Sequence, residues 1–159
     1  LLRIFPGLHK RNPKVRLVVF GKRRPSVIAP WLVHVPASQR PEDIYATADI
    51  LLHPTFYDAC ANVVLEALAC GIPTVSSHLN GSAEFIVEGV NGHVLPVADD
   101  AQVDERWTAC IQELSESRCT GADMAKAARQ YARQNDIDKY IVQFETLLKE
   151  IHSLHSRKA

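Results

Sequence analysis

The stretch FYDACANVVLEALACGIPTVSS (residues 56–77) decides the fold class, because it reads in order as loop, helix, stop and strand. The apolar segment at 61–70 is followed by Gly71 and Pro73, a pairing typical of a helix that ends. The small and β-branched residues at 73–77 then indicate a buried strand. One acid, Glu66, lies within the most apolar part of the helix. Because a buried carboxylate needs a partner, we expect Glu66 to face a polar ligand.

The same alternation of strand and helix extends to both sides of this stretch. Short apolar runs predict strands, and the stretches between them predict helices over 41–48, 61–70 and 82–89. After residue 100 we expect three amphipathic helices and no strand. The predicted strands are VRLVVFG (15–21), WLVHV (31–35), DILLHP (49–54), PTVSS (73–77) and GHVLP (92–96). This order predicts an α/β fold, a doubly wound, Rossmann-like parallel sheet with right-handed crossovers and C-terminal helices.

Composition excludes several classes of protein. The chain has 159 residues, of which 47% are hydrophobic and 23% charged, as in an ordinary globular domain. No apolar run has the length of a membrane span, and the four cysteines show no CxxC spacing. We expect reduced thiols, with Cys60 and Cys70 in the core beside the helix, and a cytoplasmic location.

The charges are unevenly distributed along the chain. Residues 1–41 contain nine Lys or Arg and no acid, whereas the remaining residues carry a net charge of −9. A solvated surface explains this as well as an anionic partner does, either phosphates or an acidic membrane surface. The first residues are apolar and lack a helix-capping side chain, so we expect residues 1–159 to be one domain of a longer protein.

The predicted topology places a ligand site at the carboxyl ends of the strands. In open parallel sheets ligands bind there, which selects the loops after Gly21, Val35, Pro54 and Ser77. The third loop leads into the helix that starts near Ala61, whose first amides are free to bind phosphate. Asp58 precedes this helix end and Glu66 follows it, with seven residues between the two acids.

That spacing, in its surroundings, carries a family resemblance. ADILLHPTFYDA, EALACGIPTVSS and NGSAEFIVEGVNGHVLP accompany the acid-x7-acid pair. The chain resembles retaining GT-B glycosyltransferases of family 4, and among them the lipopolysaccharide core glucosyltransferases. The likeness covers most of residues 15–140 and is specific over 48–96. It implies the C-terminal, donor-binding half of a two-domain enzyme whose N-terminal acceptor domain is absent.

The resemblance also assigns roles to the two acids. Glu66 would accept hydrogen bonds from the ribose hydroxyls of a nucleotide, and Asp58 would lie near the transferred sugar. The family usually has Glu where this chain has Asp58, so the reach falls by roughly 1.5 Å. Alternatively, Asp58 only caps the helix, and Glu66 pairs with a backbone group or a buried water.

Further positions follow from the same alignment of motifs. The amides of Ala61, Asn62 and Val63 would approach the donor phosphates, although Asn62 is equally suited to be an N-cap. Ser38 would contact the nucleotide base, and Gly81 would adopt a backbone conformation closed to larger residues. His53 is expected to be a buried, hydrogen-bonded residue. The Arg and Lys that hold the pyrophosphate in the family have no clear counterpart, and Lys22, Arg23 and Arg24 are expected in a solvated loop.

The expected function is transfer of a sugar from a nucleotide diphosphate sugar, UDP-glucose-like, to a glycan or glycolipid such as lipopolysaccharide core. No cofactor is expected, because the sequence has no DxD and no ligand cluster at metal spacing. A peripheral membrane contact is compatible with this reading, and no nucleic-acid partner is expected. The alternatives are a GT-B nucleotide-sugar epimerase or hydrolase and a non-catalytic sugar-nucleotide binding module.

Overall fold

The computed structural model describes residues 1–37 and 40–156, without the side chains of residues 118–120 and 154–156. All five predicted strands form, as do the three C-terminal helices. The strands are β1 (Leu17–Phe20), β2 (Leu32–Val35), β3 (Leu51–His53), β4 (Thr74–Ser77) and β5 (Gly92–Leu95). The helices are α1 (Phe5–Arg11), α2 (Pro41–Tyr45), α3 (Asn62–Ala69), α4 (Ala101–Glu116), α5 (Arg118–Gln134) and α6 (Ile137–Ser156).

Every strand pair is parallel, as the alternation of elements predicts. The hydrogen bonding forms two sheets, β1–β2 and β3–β4–β5, where the sequence led us to expect one. The two sheets nevertheless share one hydrophobic core, in which Leu17 of β1 lies in the same cluster as Val75 of β4 and Leu95 of β5. Trp107 of α4 is buried in that cluster and donates from its indole nitrogen to the carbonyl of Pro96 at 2.8 Å. The α/β, Rossmann-like class is therefore confirmed.

The segment predicted as a helix over 82–89 is instead a short 3₁₀ helix, Gly81–Phe85. Ile86 is already extended, with φ −96° and ψ 117°. The side chain of Asn91 binds the backbone here and takes the place of helical hydrogen bonds. Its Oδ1 accepts from the amide of Val87 at 2.8 Å, and its Nδ2 donates to the carbonyl of Phe85. A local side-chain partner for the backbone competes with helix formation.

Helix α3 ends as its sequence predicts. Gly71 has φ +75°, its amide donates to the carbonyl of Leu68, and the amide of Ile72 donates to that of Ala67. This is the hydrogen-bond pattern of a helix closed by a left-handed glycine. Val64, Ala67 and Leu68 of α3 are almost fully buried, and α5 packs on this helix. The helix is therefore fixed at its C-terminus and along one face, which leaves its N-terminus at the carboxyl end of β3.

The last helix carries an exposed apolar face. The described side chains of α6 are all exposed, and its large apolar residues recur every three or four positions. They are Ile137, Tyr140, Ile141, Phe144, Leu147, Leu148 and Ile151, and Val142 is a further exposed apolar residue of the helix outside this repeat. Among the described residues, no helix has both the length and the apolarity that crossing a bilayer requires.

Candidate functional site

The loops that follow β3 and β4 are joined by hydrogen bonds at the carboxyl edge of the sheet. The amide of Asp58 donates to the carbonyl of Leu79 at 3.2 Å, and the amide of Gly81 donates to the carbonyl of Asp58 at 2.9 Å. The hydroxyl of Ser77 donates to the carbonyl of Thr55 at 2.6 Å. The backbone of Asp58 is thus held from both sides, directly before the N-terminus of α3.

Gly81 is required by a close approach of two backbones. Its φ lies outside the positive region, so the prediction of a restricted backbone conformation is wrong. A side-chain Cβ at this position would instead lie 1.9 Å from the carbonyl oxygen of Ala59. The two loops can therefore approach each other only because residue 81 has no side chain.

Asn80 connects the two loops to the start of α3. Its side chain is buried, and Oδ1 accepts from the amides of Ser82 at 3.1 Å and Ala61 at 3.4 Å. Its Nδ2 donates to the hydroxyl of Ser76 at 2.9 Å. Its partners in β4 and α3 follow from the tertiary structure alone.

The carboxylate of Asp58 is half-buried, and one of its two oxygens already accepts a hydrogen bond. Its Oδ1 accepts from the amide of Cys60 at 3.1 Å, whereas Oδ2 has no hydrogen-bond donor among the described residues. Cys60 precedes the N-cap of α3, so Asp58 orders the approach to the helix and does not cap it. The alternative reading of Asp58 as a helix cap is therefore wrong, and its Oδ2 makes no hydrogen bond within the described residues.

The N-terminus of α3 has free donors at the position expected for phosphate. Ala61 is the N-cap and makes no side-chain cap hydrogen bond, and Asn62 is the first helical residue. The reading of Asn62 as the N-cap is therefore wrong. Within the described chain the amides of Asn62 and Val63 have no acceptor. Free amides at a helix N-terminus favour an anion, because the helix dipole adds to their partial positive charge.

Glu66 is exposed, which corrects the expectation of a buried carboxylate. Buried positions in α3 are Val64, Ala67 and Leu68, and at about 100° per residue Glu66 falls on the opposite side together with Asn62. The apolar residues next to Glu66 in the sequence therefore point in other directions around the helix, and the side chain of Glu66 stays exposed. Glu66 lies about 6 Å along the helix from Asn62, at 1.5 Å per residue.

Tyr45 at the end of α2 is the partner of Glu66. Its hydroxyl donates to Oε2 of Glu66 at 2.7 Å. Burial of the phenol, and then the hydrogen bond and charge of Glu66, raise the pKa of Tyr45 well above its ordinary value. Tyr45 therefore remains a hydrogen-bond donor throughout the physiological range. Sequence reasoning missed Tyr45, because a tyrosine in a short amphipathic helix gives no functional signal.

His53, at the end of β3, differs from its prediction as a hydrogen-bonded residue. Its Nε2 is buried and has no hydrogen-bond partner within the described part of the chain. The nearest acidic atom is Oδ2 of Asp58, at 3.7 Å. That distance exceeds a hydrogen bond, so the two groups are neighbours without a bond in this structure.

The cysteines near the site are free thiols, as predicted, but they do not lie in the core. Cys60 is exposed and Cys70 is half-buried. The sulfur of Cys60 accepts from the hydroxyl of Ser82 at 3.4 Å, beside the N-terminus of α3. An exposed thiol therefore lies at the edge of the candidate site.

The basic N-terminal part of the chain is only partly neutralised. Arg3 bonds to Asp99 and Asp104, and Arg40 bonds to Glu42 and Asp43. Lys22, Arg23 and Arg24 are exposed in the loop after β1, as predicted. Ser38, the expected contact to the nucleotide base, lies outside the described residues.

The arrangement provides free amides with one acid before them and one after them. The described residues contain no cluster of side chains that could hold a metal ion. This geometry suits a ligand that carries phosphates and sugar hydroxyls. A family model described as glycosyl transferases group 1 matches residues 1–116. The chain belongs to this family.

A curated relative agrees with that assignment, and two solved structures share the fold. The chain is 28% identical over 109 residues to D-inositol 3-phosphate glycosyltransferase of Paenarthrobacter aurescens (strain TC1), a match that covers 69% of this chain and 24% of the relative. It superimposes with a TM-score of 0.69 on WaaG, a glycosyltransferase involved in lipopolysaccharide biosynthesis, at 23% identity, covering 77% of this chain and 35% of WaaG. It also superimposes with a TM-score of 0.69 on Anabaena Alr3699/HepE in complex with UDP-glucose, at 19% identity, covering 92% of this chain and 44% of HepE. The chain thus spans less than half the length of each of these proteins.

Proposed function

We propose that this chain is the donor-binding domain of a retaining glycosyltransferase that uses a nucleotide diphosphate sugar. The observation that carries the proposal is the pair of free amides at Asn62 and Val63, with Asp58 before them and Glu66 on the exposed face of the same helix. Membership of the glycosyl transferases group 1 family supports it.

In this proposal each group binds a different part of the donor. The diphosphate lies at the N-terminus of α3, where the amides of Asn62 and Val63 and the helix dipole stabilise the charge that develops as it leaves. Glu66 accepts from the ribose hydroxyls, and Asp58 accepts from hydroxyls of the transferred sugar. Carboxylates suit both tasks, because each oxygen accepts more than one hydrogen bond. No metal is required in this scheme.

The finer assignments belong to the same proposal. The donor is UDP-glucose-like, supported by the fold shared with HepE in complex with UDP-glucose. The acceptor is a glycan or glycolipid such as lipopolysaccharide core, supported by the fold shared with WaaG. An N-terminal domain of the whole protein supplies the acceptor site, in keeping with the share of the relatives that the chain spans.

A peripheral membrane contact also forms part of the proposal. Lys22, Arg23 and Arg24 are exposed in one loop with Val27 and Ile28, and Ile28 is 90% exposed. Exposed cations beside exposed apolar side chains suit an anionic lipid surface. We expect sedimentation with vesicles that contain phosphatidylglycerol, and less in 0.5 M salt or after substitution of the three cations by Ala. The matched control replaces three other exposed cations, Arg133, Lys139 and Lys149, by Ala. If both triple variants weaken vesicle binding equally, the proposed contact is contradicted.

The first test of donor binding is ligand-observed NMR of the chain with UDP-, GDP- and ADP-glucose. We expect a saturation-transfer signal with the uridine nucleotide, and its loss in Glu66→Ala. Glu145→Ala removes an exposed helical glutamate of α6 and serves as the matched control. It should bind as the unmodified chain does.

Three outcomes decide the proposal. A signal for one nucleotide that Glu66→Ala abolishes supports it and identifies the base. A signal that is unchanged in Glu66→Ala would contradict the role of Glu66. If no nucleotide binds either to the chain or to the whole protein, the donor-binding proposal is wrong.

A further inference from the structure

His53 and Asp58 form an incomplete pair at the sugar end of the candidate site. The buried Nε2 of His53 lies 3.7 Å from Oδ2 of Asp58, and their side chains are 23% and 36% exposed. A buried nitrogen without a partner is unfavourable, because it has lost water and gained nothing in return. The pair is therefore arranged for a contact that this structure leaves open.

The surroundings restrict how the pair can close. His53 is held in β3, where its residue pairs with Ser76 of β4. The backbone of Asp58 is held by Leu79 and Gly81, and its Oδ1 by the amide of Cys60. The carboxylate is therefore limited to small rotations about its side-chain bonds, and a shift of about 0.5–1 Å is enough to bring Oδ2 within hydrogen-bond distance of Nε2.

We propose that His53 is a positioning residue for Asp58, donating from Nε2 to Oδ2 when the donor sugar is bound. This inference rests on the proposed donor-binding function. With Oδ1 on Cys60 and Oδ2 on His53, the outer lone pairs of the carboxylate remain to accept sugar hydroxyls. A fixed orientation matters more for this short side chain than for a glutamate, whose additional methylene allows it to adjust its reach.

The test compares two substitutions that differ in their ability to donate. His53→Gln retains an N–H donor at a similar reach, and His53→Leu removes it while keeping an apolar bulk. Dissociation constants for UDP and UDP-glucose are measured by titration calorimetry on the full chain. We expect His53→Leu to bind UDP-glucose about tenfold more weakly and UDP within twofold, with His53→Gln close to the unmodified chain.

Two controls separate positioning from general stability. His93, whose Nδ1 lies 2.7 Å from Oε1 of Glu88, forms a second histidine–carboxylate pair at the N-terminal end of β5. His93→Leu should leave the ratio of the UDP and UDP-glucose affinities unchanged. In Asp58→Asn, which weakens the acceptor, the added effect of His53→Leu should shrink, because contacting residues are not additive.

The outcomes distinguish this inference from the proposed function. If the chain binds both ligands and His53→Leu weakens them equally, or if Gln and Leu behave alike, the positioning role is wrong and donor binding stands. If neither the chain nor the whole protein binds UDP or UDP-glucose, both are wrong. Selective loss of UDP-glucose binding in His53→Leu alone supports the positioning role.

Discussion

The hydroxyl of Tyr45 donates a 2.7 Å hydrogen bond to Oε2 of Glu66, joining the end of α2 to the exposed side of α3. The carboxylate retains Oε1 and further lone pairs for other donors. Tyr45 therefore fixes the orientation of Glu66 without occupying all of its capacity. Under the proposed function, a glutamate held in this way is oriented for ligand hydroxyls before the ligand binds.

Replacing Tyr45 by Phe should weaken nucleotide binding without preventing it. Loss of a hydrogen bond to a carboxylate allows Glu66 other rotamers, and we expect an affinity for UDP about three- to tenfold lower. Calorimetric titration with UDP measures this. Tyr140→Phe, on the exposed face of α6, is the matched control and should have no effect. Unchanged binding in Tyr45→Phe would show that the contact does not prepare the site.

Alkaline pH should destabilise the chain through two partly buried groups. Burial raises the pKa of Tyr45, and burial together with Glu113 and Glu88 raises the pKa of Cys110 to about 12. Each group loses its proton at a lower pH in the unfolded chain than in the folded chain. Its contribution to the free energy of unfolding is therefore fully present below its pKa in the unfolded chain, and it is lost as the pH rises toward its pKa in the folded chain. The free energy of unfolding should therefore fall from about pH 9 upward.

Urea denaturation between pH 7 and pH 11 measures that fall. The double variant Tyr45→Phe and Cys110→Ala should show a shallower decline over this range, although Cys110→Ala itself lowers stability at neutral pH by leaving space in the core. An identical slope in the variant and the unmodified chain would contradict the assignment to these two groups.

A methyl group at residue 81 should separate the two site loops. Because the added Cβ would lie 1.9 Å from the carbonyl oxygen of Ala59, Gly81→Ala requires a backbone shift, which we expect to cost about 2–4 kcal/mol of stability. Thermal unfolding measures this cost. Gly7→Ala, where the added Cβ meets no atom within 4 Å, is the control for the substitution itself. Equal melting temperatures in the two variants would contradict the close approach.

Alkylation should distinguish Cys60 from Cys110. Cys60 is exposed, whereas burial raises the pKa of Cys110 and leaves little thiolate at neutral pH. Iodoacetamide at pH 7.5 followed by peptide mass spectrometry should therefore modify Cys60 well before Cys110. UDP-glucose should slow the modification of Cys60, because this thiol lies beside the N-terminus of α3. Equal rates with and without UDP-glucose would place the donor elsewhere.

Local sequence patterns were sufficient to predict most of the helices and strands and the position of the candidate site in the fold. Each predicted strand formed, and Gly71 closed α3 with a positive φ, because apolar period and helix-stop residues act over a few neighbouring positions. The prediction for 82–89 was wrong, because the side chain of Asn91, which lies beyond that segment, holds the backbone at Phe85 and Val87. A hydrogen-bond partner outside the segment therefore changed the secondary structure within it.

The sequence by itself determined the order of parallel strands, the free N-terminus of α3 and the acids on either side of it. Only the tertiary structure decided that Glu66 is exposed and bound to Tyr45, that Asn80 connects β4 with α3, and that His53 lies against Asp58. The physical reason is the range of the interactions. Periodicity and helix-end chemistry are encoded within a few residues, whereas these contacts join segments that become neighbours only after the sheet and its helices have packed.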